Sequence, residues 1–394
     1  MADLKNRCAI VGIGATDYTR ESGRSVEALA LEACREAIAD AGLERPDVDG
    51  VVTFGLADTV STTVVASGLG LPRLGYALDI NGGGNTAASA VIHAAMAVAT
   101  GQAQCVLVYR ALNGASGIRY GGVEFTKLLE QTSVHSDAES QFLSPYGVLM
   151  PAHEFALLCR RHMIEFGTTH EQLGAVATTC RKHANLNPRA QMQHRTMSMA
   201  DYLESPWVAD PFRVFDCCLM TDGACALVVT SRERAVDTAQ RPVYLLNGAI
   251  GTGRAGRGSM WGNYWNDHSE CYASYLADNL FEGAGVSRSD IDLAQLYDCF
   301  SYSVIAQLEG FGFCSRGDGG PFCEQGRIGI GGELPVNTNG GLLSEGYIHG
   351  LNGVFELVEQ LRGQAGPRQV ENAQVGLASA GGAAAFGSAV ILGN

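Results

Sequence analysis

The residues best placed to do chemistry are two tyrosines, one of them in an unusual stretch of backbone. Asn337-Thr-Asn-Gly-Gly-Leu-Leu-Ser-Glu-Gly-Tyr-Ile-His-Gly350 has four glycines in fourteen positions and leads into the apolar-periodic Val354-Phe-Glu-Leu-Val-Glu-Gln-Leu361. Glycine at that density ahead of a helix marks a loop whose backbone must approach another group closely. The loop carries Tyr347 and, two positions on, His349; a second tyrosine, Tyr297, follows an apolar strand in Tyr297-Asp-Cys-Phe300. A phenol near pKa 10 is a poor base in water, but it donates a proton readily, and a neighbouring charge or hydrogen-bond donor shifts it. On residue type alone each tyrosine is either a structural ring with a satisfied hydroxyl or an acid-base group. His349 reads as a loop histidine with a backbone partner or as a group that orients Tyr347. Asp298 reads equally as a brace for the loop and as a charge that tunes a phenol.

Composition narrows the classes. The chain has 394 residues, 46% hydrophobic and 17% charged, enough for a large core and two or three domains. A formal net charge of −14 argues against a nucleic-acid role, which needs a basic face. It leaves room for an acyl-CoA ligand, which needs only a local basic patch or a helix N-terminus. None of the twelve cysteines falls in a Cys-x-x-Cys pair, so reduced, mostly buried thiols are expected. With no basic-then-apolar leader and no long uncharged apolar run, a soluble cytoplasmic protein is expected.

The elements that must carry these residues alternate. Strand-like Cys8–Gly12, Gly50–Phe54 and Cys105–Tyr109 are separated by helical patterns at Ser25–Ala41 and Thr86–Thr100, the order of an α/β sheet covered by helices. Residues 41–55 echo residues 284–298 as helix end, glycine stop, capped turn and strand, and Ala103-Gln-Cys-Val-Leu-Val108 echoes Ala373-Gln-Val-Gly-Leu-Ala378. Two duplicated halves are implied, 1-240 and 241-394. The first contains a helical loop domain at about 115-215, with helical period over Glu154–Phe166 and Thr169–His183.

With the Gly-rich loop and Tyr297-Asp-Cys-Phe300, three further motifs carry a resemblance: Asp216-Cys-Cys-Leu-Met-Thr-Asp-Gly-Ala224, Asn187-Pro-Arg-Ala190 and Gly381-Gly-Ala-Ala-Ala-Phe-Gly387. In this order they resemble the thiolase superfamily, most closely its sterol-carrier-protein type. The resemblance implies a thiolase fold, two halves in a five-layer αβαβα arrangement, and a homodimer core. It also exposes departures. The nucleophilic cysteine of that family falls at Gly84, its second cysteine at Ser379, its loop histidine at Tyr347, and the histidine of its His-Asp-Cys-Phe motif at Tyr297. Covalent Claisen chemistry is thereby disfavoured.

Tyr297 and Tyr347, with glycine at the nucleophile position, resemble the lipid-transfer-protein-like aldolases of bacterial steroid side-chain degradation. That resemblance implies retro-aldol cleavage of a β-hydroxyacyl-CoA, a 17-hydroxy steroid with a three-carbon CoA-thioester side chain, giving a 17-ketosteroid and propionyl-CoA. It implies Tyr297 and Tyr347 as the acid-base pair; Tyr297 is assigned as base on the side-chain hydroxyl and Tyr347 as acid toward the enolate, with the reverse order left open by the sequence. It also implies a small zinc-ribbon/OB-fold partner subunit in a heterotetramer, the zinc belonging to the partner. No cofactor or metal is expected in this chain; CoA is part of the substrate. Gly84, Asn339, His349 and Gly382 are the expected substrate-contacting positions, with Gly84 leaving open space for bulk and its backbone donating to the thioester oxygen. Arg254, Arg257 and the aromatic run Trp261-Gly-Asn-Tyr-Trp265 read as surface loop or as CoA or steroid contacts. The competing readings are a non-catalytic lipid or acyl-CoA carrier and a thiolase-like acyltransferase with relocated chemistry.

Overall fold

The computed structural model describes residues 4–117, 143–252 and 270–394. In the first half β1 (Cys8–Ala15), α1 (Val26–Asp40), β2 (Gly50–Gly55), α2 (Thr62–Leu69), β3 (Tyr76–Asn81), α3 (Ala87–Ala99) and β4 (Cys105–Asn113) follow in order. Then come α4 (Pro151–Phe166), α5 (His170–Asn185), α6 (Met199–Glu204), the short strands β5 (Trp207–Ala209) and β6 (Phe212–Arg213), β7 (Asp222–Ser231) and α7 (Arg232–Ala235). The second half has β8 (Val243–Thr252), α8 (Ala273–Ala284), β9 (Leu293–Gln295), α9 (Ser301–Gly310), α10 (Gly319–Phe322), α11 (Gly341–Ser344), α12 (Leu351–Arg362), β10 (Val375–Ala380) and β11 (Phe386–Gly393).

Nine strands join in the order β3-β2-β4-β7-β1-β8-β11-β10-β9. The order is nearly symmetric about the β1/β8 junction, where the two halves pair antiparallel through Ala9 with Tyr244 and Ile10 with Val243. Outward from that junction each half runs first strand, last strand, fourth strand, second strand. The third strand of the second half is reduced to a single parallel bridge between Val336 and Ala294. The repeated sequence takes the same conformation twice. Gly42 and Gly285 both stop a helix at φ +68, a backbone that glycine adopts without strain. Asp47 and Asp290 then each accept the main-chain N–H three residues back, at 2.8 and 2.7 Å, ahead of the next strand.

Three apolar cores separate the layers. α1 packs on the outer face of the first half, around Val51, Leu107, Ala226 and Val228. α8 packs on the outer face of the second half, where its cluster continues into α9 and the loop-domain helices α4 and α5. Between the halves lie α3 and α12, each touching strands of both. α3 is accordingly alanine-rich and buried on nearly every side, as a helix in a central layer must be. This is the five-layer αβαβα thiolase fold. Of the loop-domain span, residues 118–142 lie outside the described residues; the helices read at Glu154–Phe166 and Thr169–His183 are α4 and α5. Fully buried His162 of α4 lies 3.1 Å from the Glu309 carboxylate of α9, tying that domain to the second half.

Candidate active site

Tyr297 is held by its main chain and by its surroundings. It lies just past β9, on the connection to α9, and its N–H donates to Ser379 Oγ at 3.0 Å while its carbonyl accepts from Gln307 Nε2 at 2.9 Å. Ser379 Oγ donates to Gln307 Oε1 at 2.6 Å, and the Tyr272 hydroxyl donates to the same oxygen at 3.0 Å, so the two clamps are one network. The ring then fills the position where a side chain at residue 84 would sit. A Cβ on Gly84 would fall 1.7 Å from Tyr297 Oη and 2.1 Å from Cζ. The open space expected at Gly84 is therefore occupied by the phenol itself: the glycine makes room for Tyr297, not for substrate. On another side Gly350, at φ +86, would bring a Cβ within 2.8 Å of the same ring.

Tyr347 is anchored from the Gly-rich loop. Its N–H donates to Thr221 Oγ1 at 2.7 Å, and its hydroxyl shares a hydrogen bond with that of Tyr297, the two oxygens 2.8 Å apart. Burial pushes both phenols well above their ordinary range; the bond from Tyr347 pulls Tyr297 back down, whereas the Tyr297 charge would push Tyr347 further up. Both are neutral at rest.

His349 stands against this pair, its ring 4.8 Å from that of Tyr347 and at 88° to it. The partner of its Nδ1 is not backbone, as the sequence suggested, but the Arg110 guanidinium, at 3.1 Å from Nε and 2.9 Å from Nη2. Burial and Arg110 push the imidazole down to about 3, so it is neutral. Arg110 also pairs with the Asp58 carboxylate.

The rest of the loop is braced from within. Asn339 donates from its side chain to the Glu345 carboxylate and accepts the Gly341 N–H at 2.9 Å, so both its polar side-chain atoms serve the loop. Glu345 also receives Asn187 Nδ2 at 2.9 Å and Asn352 Nδ2 at 2.7 Å. Asp298 accepts from Leu342 N at 2.8 Å and Leu343 N at 3.3 Å at the start of α11, which is the bracing role; burial pushes its carboxyl up to about 6. Gly341 must be glycine there, since a Cβ would lie 2.0 Å from Asp298 Oδ2. Gly382, at φ +59, crosses beside Cys299 and Ser303, which a Cβ would meet at 3.1 and 3.0 Å. Arg254, Arg257 and Trp261–Trp265 lie outside the described residues.

No thiol competes with the phenols. All twelve cysteines are free, and burial pushes every one upward, Cys299 to about 12. A reactive cysteine shows the opposite shift. Among the described residues no group of three His, Cys, Asp or Glu side chains is placed to hold a metal ion, and no helix is long and apolar enough to cross a membrane. Four residues of this site escaped the sequence reading: Arg110, Asp58, Gln307 and Thr221. Arg110 carried a signal as a charge inside the apolar run Cys105-Val-Leu-Val-Tyr-Arg-Ala-Leu112, and Thr221 lies within the motif Asp216–Ala224 without being singled out there.

A paired, buried phenol in the nucleophile's place defines the class, and comparison with known proteins agrees. The thiolase C-terminal domain-like family matches residues 265–394. A 17-hydroxy-3-oxo-4-pregnene-20-carboxyl-CoA lyase of Mycobacterium tuberculosis is 42% identical over 362 residues, 91% of this chain and 92% of the relative. A steroid side-chain-cleaving aldolase of Thermomonospora curvata is 42% identical over 92% of each chain. A solved structure described as the Ltp2-ChsH2(DUF35) aldolase superposes with TM-score 0.91 at 41% identity, covering 100% of this chain and 99% of the other. The chain belongs to the thiolase superfamily and, within it, to the lipid-transfer-protein-like aldolases.

Proposed function

We propose that this protein cleaves the Cα–Cβ bond of a β-hydroxyacyl-CoA whose β-carbon is C17 of a steroid, releasing a 17-ketosteroid and propionyl-CoA. The observation that carries the reading is the 2.8 Å contact between Tyr297 Oη and Tyr347 Oη, in the space a nucleophilic side chain at residue 84 would need. Two neutral phenols in contact pass a proton without either standing alone as an ion. The carbinol O–H proton goes to Tyr297 Oη, the Tyr297 proton to Tyr347 Oη, and the Tyr347 proton to the substrate's Cα. As it moves, the Cα–Cβ pair becomes the enolate, the carbinol becomes a ketone, and the enolate is quenched as the new acyl thioester. No covalent enzyme intermediate and no oxidant enter the balance.

The start of the Gly84 turn, running into α3, supplies the positive end of a helix toward the thioester oxygen. The names of the two relatives at 42% identity support the steroid substrate. The Ltp2-ChsH2(DUF35) structure supports a partner subunit, which we take to carry a zinc ribbon and an OB-fold. A homodimer core is part of the same reading: β3 ends the sheet, with Tyr76, Leu78 and Ile80 only half-buried along it.

The test is incubation of the full chain and its partner with a 17-hydroxy steroid carrying a three-carbon CoA-thioester side chain. Equimolar 17-ketosteroid and propionyl-CoA are expected, and mass spectrometry should find unacylated protein throughout. Binding without cleavage returns the carrier reading; a stable acyl adduct on any cysteine returns the acyltransferase.

A further inference from the structure

We propose that Arg110 is a positioning residue for Tyr347: its guanidinium fixes His349 as the Nε2–H tautomer, and the fixed imidazole sets the phenol. The inference rests on Tyr347 being a proton-transfer group. Arg110 sits at mid-strand in β4, 239 residues from His349 and wholly buried. Each of its nitrogens is engaged. Nε and Nη2 face His349 Nδ1 at 3.1 and 2.9 Å, Nη2 also faces the Asp58 carboxylate, and Nη1 donates to the Ala111 carbonyl at 2.8 Å. A guanidinium has donors only, so Nδ1 accepts and the ring proton lies on Nε2. The planar fork, tied at three corners, does not swing.

His349 itself is held in a backbone that a non-glycine residue rarely keeps, φ +51, and is 1% exposed. Its ring meets Tyr347 at 88°, an edge-to-face contact that restricts how the phenol tilts. That tilt decides whether Tyr347 Oη stays within 2.8 Å of Tyr297 Oη. A buried cation in an otherwise apolar strand is costly compared with a packed hydrophobe, so stability alone gives no reason for it. Asp58, Arg110, His349 and Tyr347 thus form one line of contacts reaching from the first half of the chain to the reacting phenol.

Nitrogen-15 NMR of the histidine-labelled full-length protein tests the first link without a mutation at Arg110. The His349 signal, identified by its loss in His349→Asn, is expected as an Nε2–H ring that does not titrate down to about pH 5. An Nδ1–H ring, or one that titrates near its ordinary value, overturns the proposal. Kinetics with the partner subunit test the second link. Arg110→Lys keeps a charge for Asp58 but replaces the fork with a point donor. The kcat is expected to fall about ten- to a hundredfold at unchanged KM for the thioester. In Tyr347→Phe protein the same substitution is expected to cost nothing further. Wild-type kcat in folded Arg110→Lys, beside an impaired Tyr347→Phe, overturns the positioning role and leaves the role of Tyr347 standing. Wild-type kcat in Tyr347→Phe overturns both. If Arg110→Lys does not fold, His349→Asn replaces it, because asparagine tolerates positive φ and keeps an acceptor toward Arg110 while removing the ring; the same loss is expected, and its absence counts the same way.

Discussion

The two phenols touch, yet they are held in different ways. Tyr297 is fixed through its main chain, N–H and C=O both clamped, and its ring is set in a slot walled by two glycines. Tyr347 is held by its N–H on Thr221 and by the edge of the His349 ring. A group that accepts a proton from a bulky carbinol gains from rigidity. One that delivers a proton to a carbon is set by its ring instead, through the imidazole that Arg110 fixes.

The harshest way to break this arrangement is Gly84→Ala. The added methyl overlaps the Tyr297 ring, so turnover should fall by at least about a hundredfold and the melting temperature by several degrees, on the order of 1–3 kcal/mol of overpacking. In a Tyr297→Ala background the same substitution should cost no stability; if the penalty persists by calorimetry, the slot has been misassigned. Removing the protons while keeping the rings comes next. Tyr297→Phe and Tyr347→Phe should each lose about a hundredfold or more in kcat while unfolding free energy changes by about 1 kcal/mol. Because the relay is a single unit, the double variant should be no slower than the slower single one. Fully multiplicative losses in single-turnover assays would mean that the phenols act in separate steps.

A finer contrast comes from the anchors. Ser379→Ala leaves Gln307 on the Tyr297 carbonyl, whereas Thr221→Val removes the acceptor of the Tyr347 N–H, next to the residue that carries the ring. Thr221→Val should therefore cost the larger factor in kcat, about tenfold against a few-fold; the reverse order would place the rigidity on the other tyrosine. The smallest effect is on stability against pH. His349 is depressed from 6.5 to about 3 in the fold, so between those values the unfolded chain binds the extra proton. Its contribution is complete above about pH 6.5 and is lost as pH falls toward 3, at up to about 1.4 kcal/mol per pH unit. Denaturant melts at pH 7 and pH 5 should show that slope in wild type and a shallower one in His349→Asn.

Much of this was legible in the sequence, and the failures have physical causes. The repeat at 41–55 and 284–298 was visible because helix stops and capped turns are local signals, and the fold builds the same glycine stop twice. α2 and β3 were not read: Thr62-Thr-Val-Val-Ala-Ser-Gly-Leu69 has β-branched residues in place of a helical pattern, and its folding depends on packing against its neighbours. The two tyrosines were found because each stands in a recognisable motif. What surrounds them was not, since Arg110, Asp58, Thr221 and Gln307 come from separate elements that only the tertiary fold brings together. Gly84 shows the limit most clearly. A missing side chain announces a space, but the sequence does not say which neighbour fills it.

The interlock of Gly84 with Tyr297 also constrains the order in which such a site can arise. A side chain at 84 and the Tyr297 ring in its present position exclude each other, because the first atom of the one falls on the oxygen of the other. A mutational path from a cysteine-bearing chain that ends with the ring in this slot is therefore easiest when the nucleophile is lost before the tyrosine is gained, passing through a form with neither. Such an intermediate has lost the old reaction without gaining the new one. It persists only where binding the ligand is itself useful or a second gene copy covers the loss, and reversal is blocked for as long as the tyrosine remains.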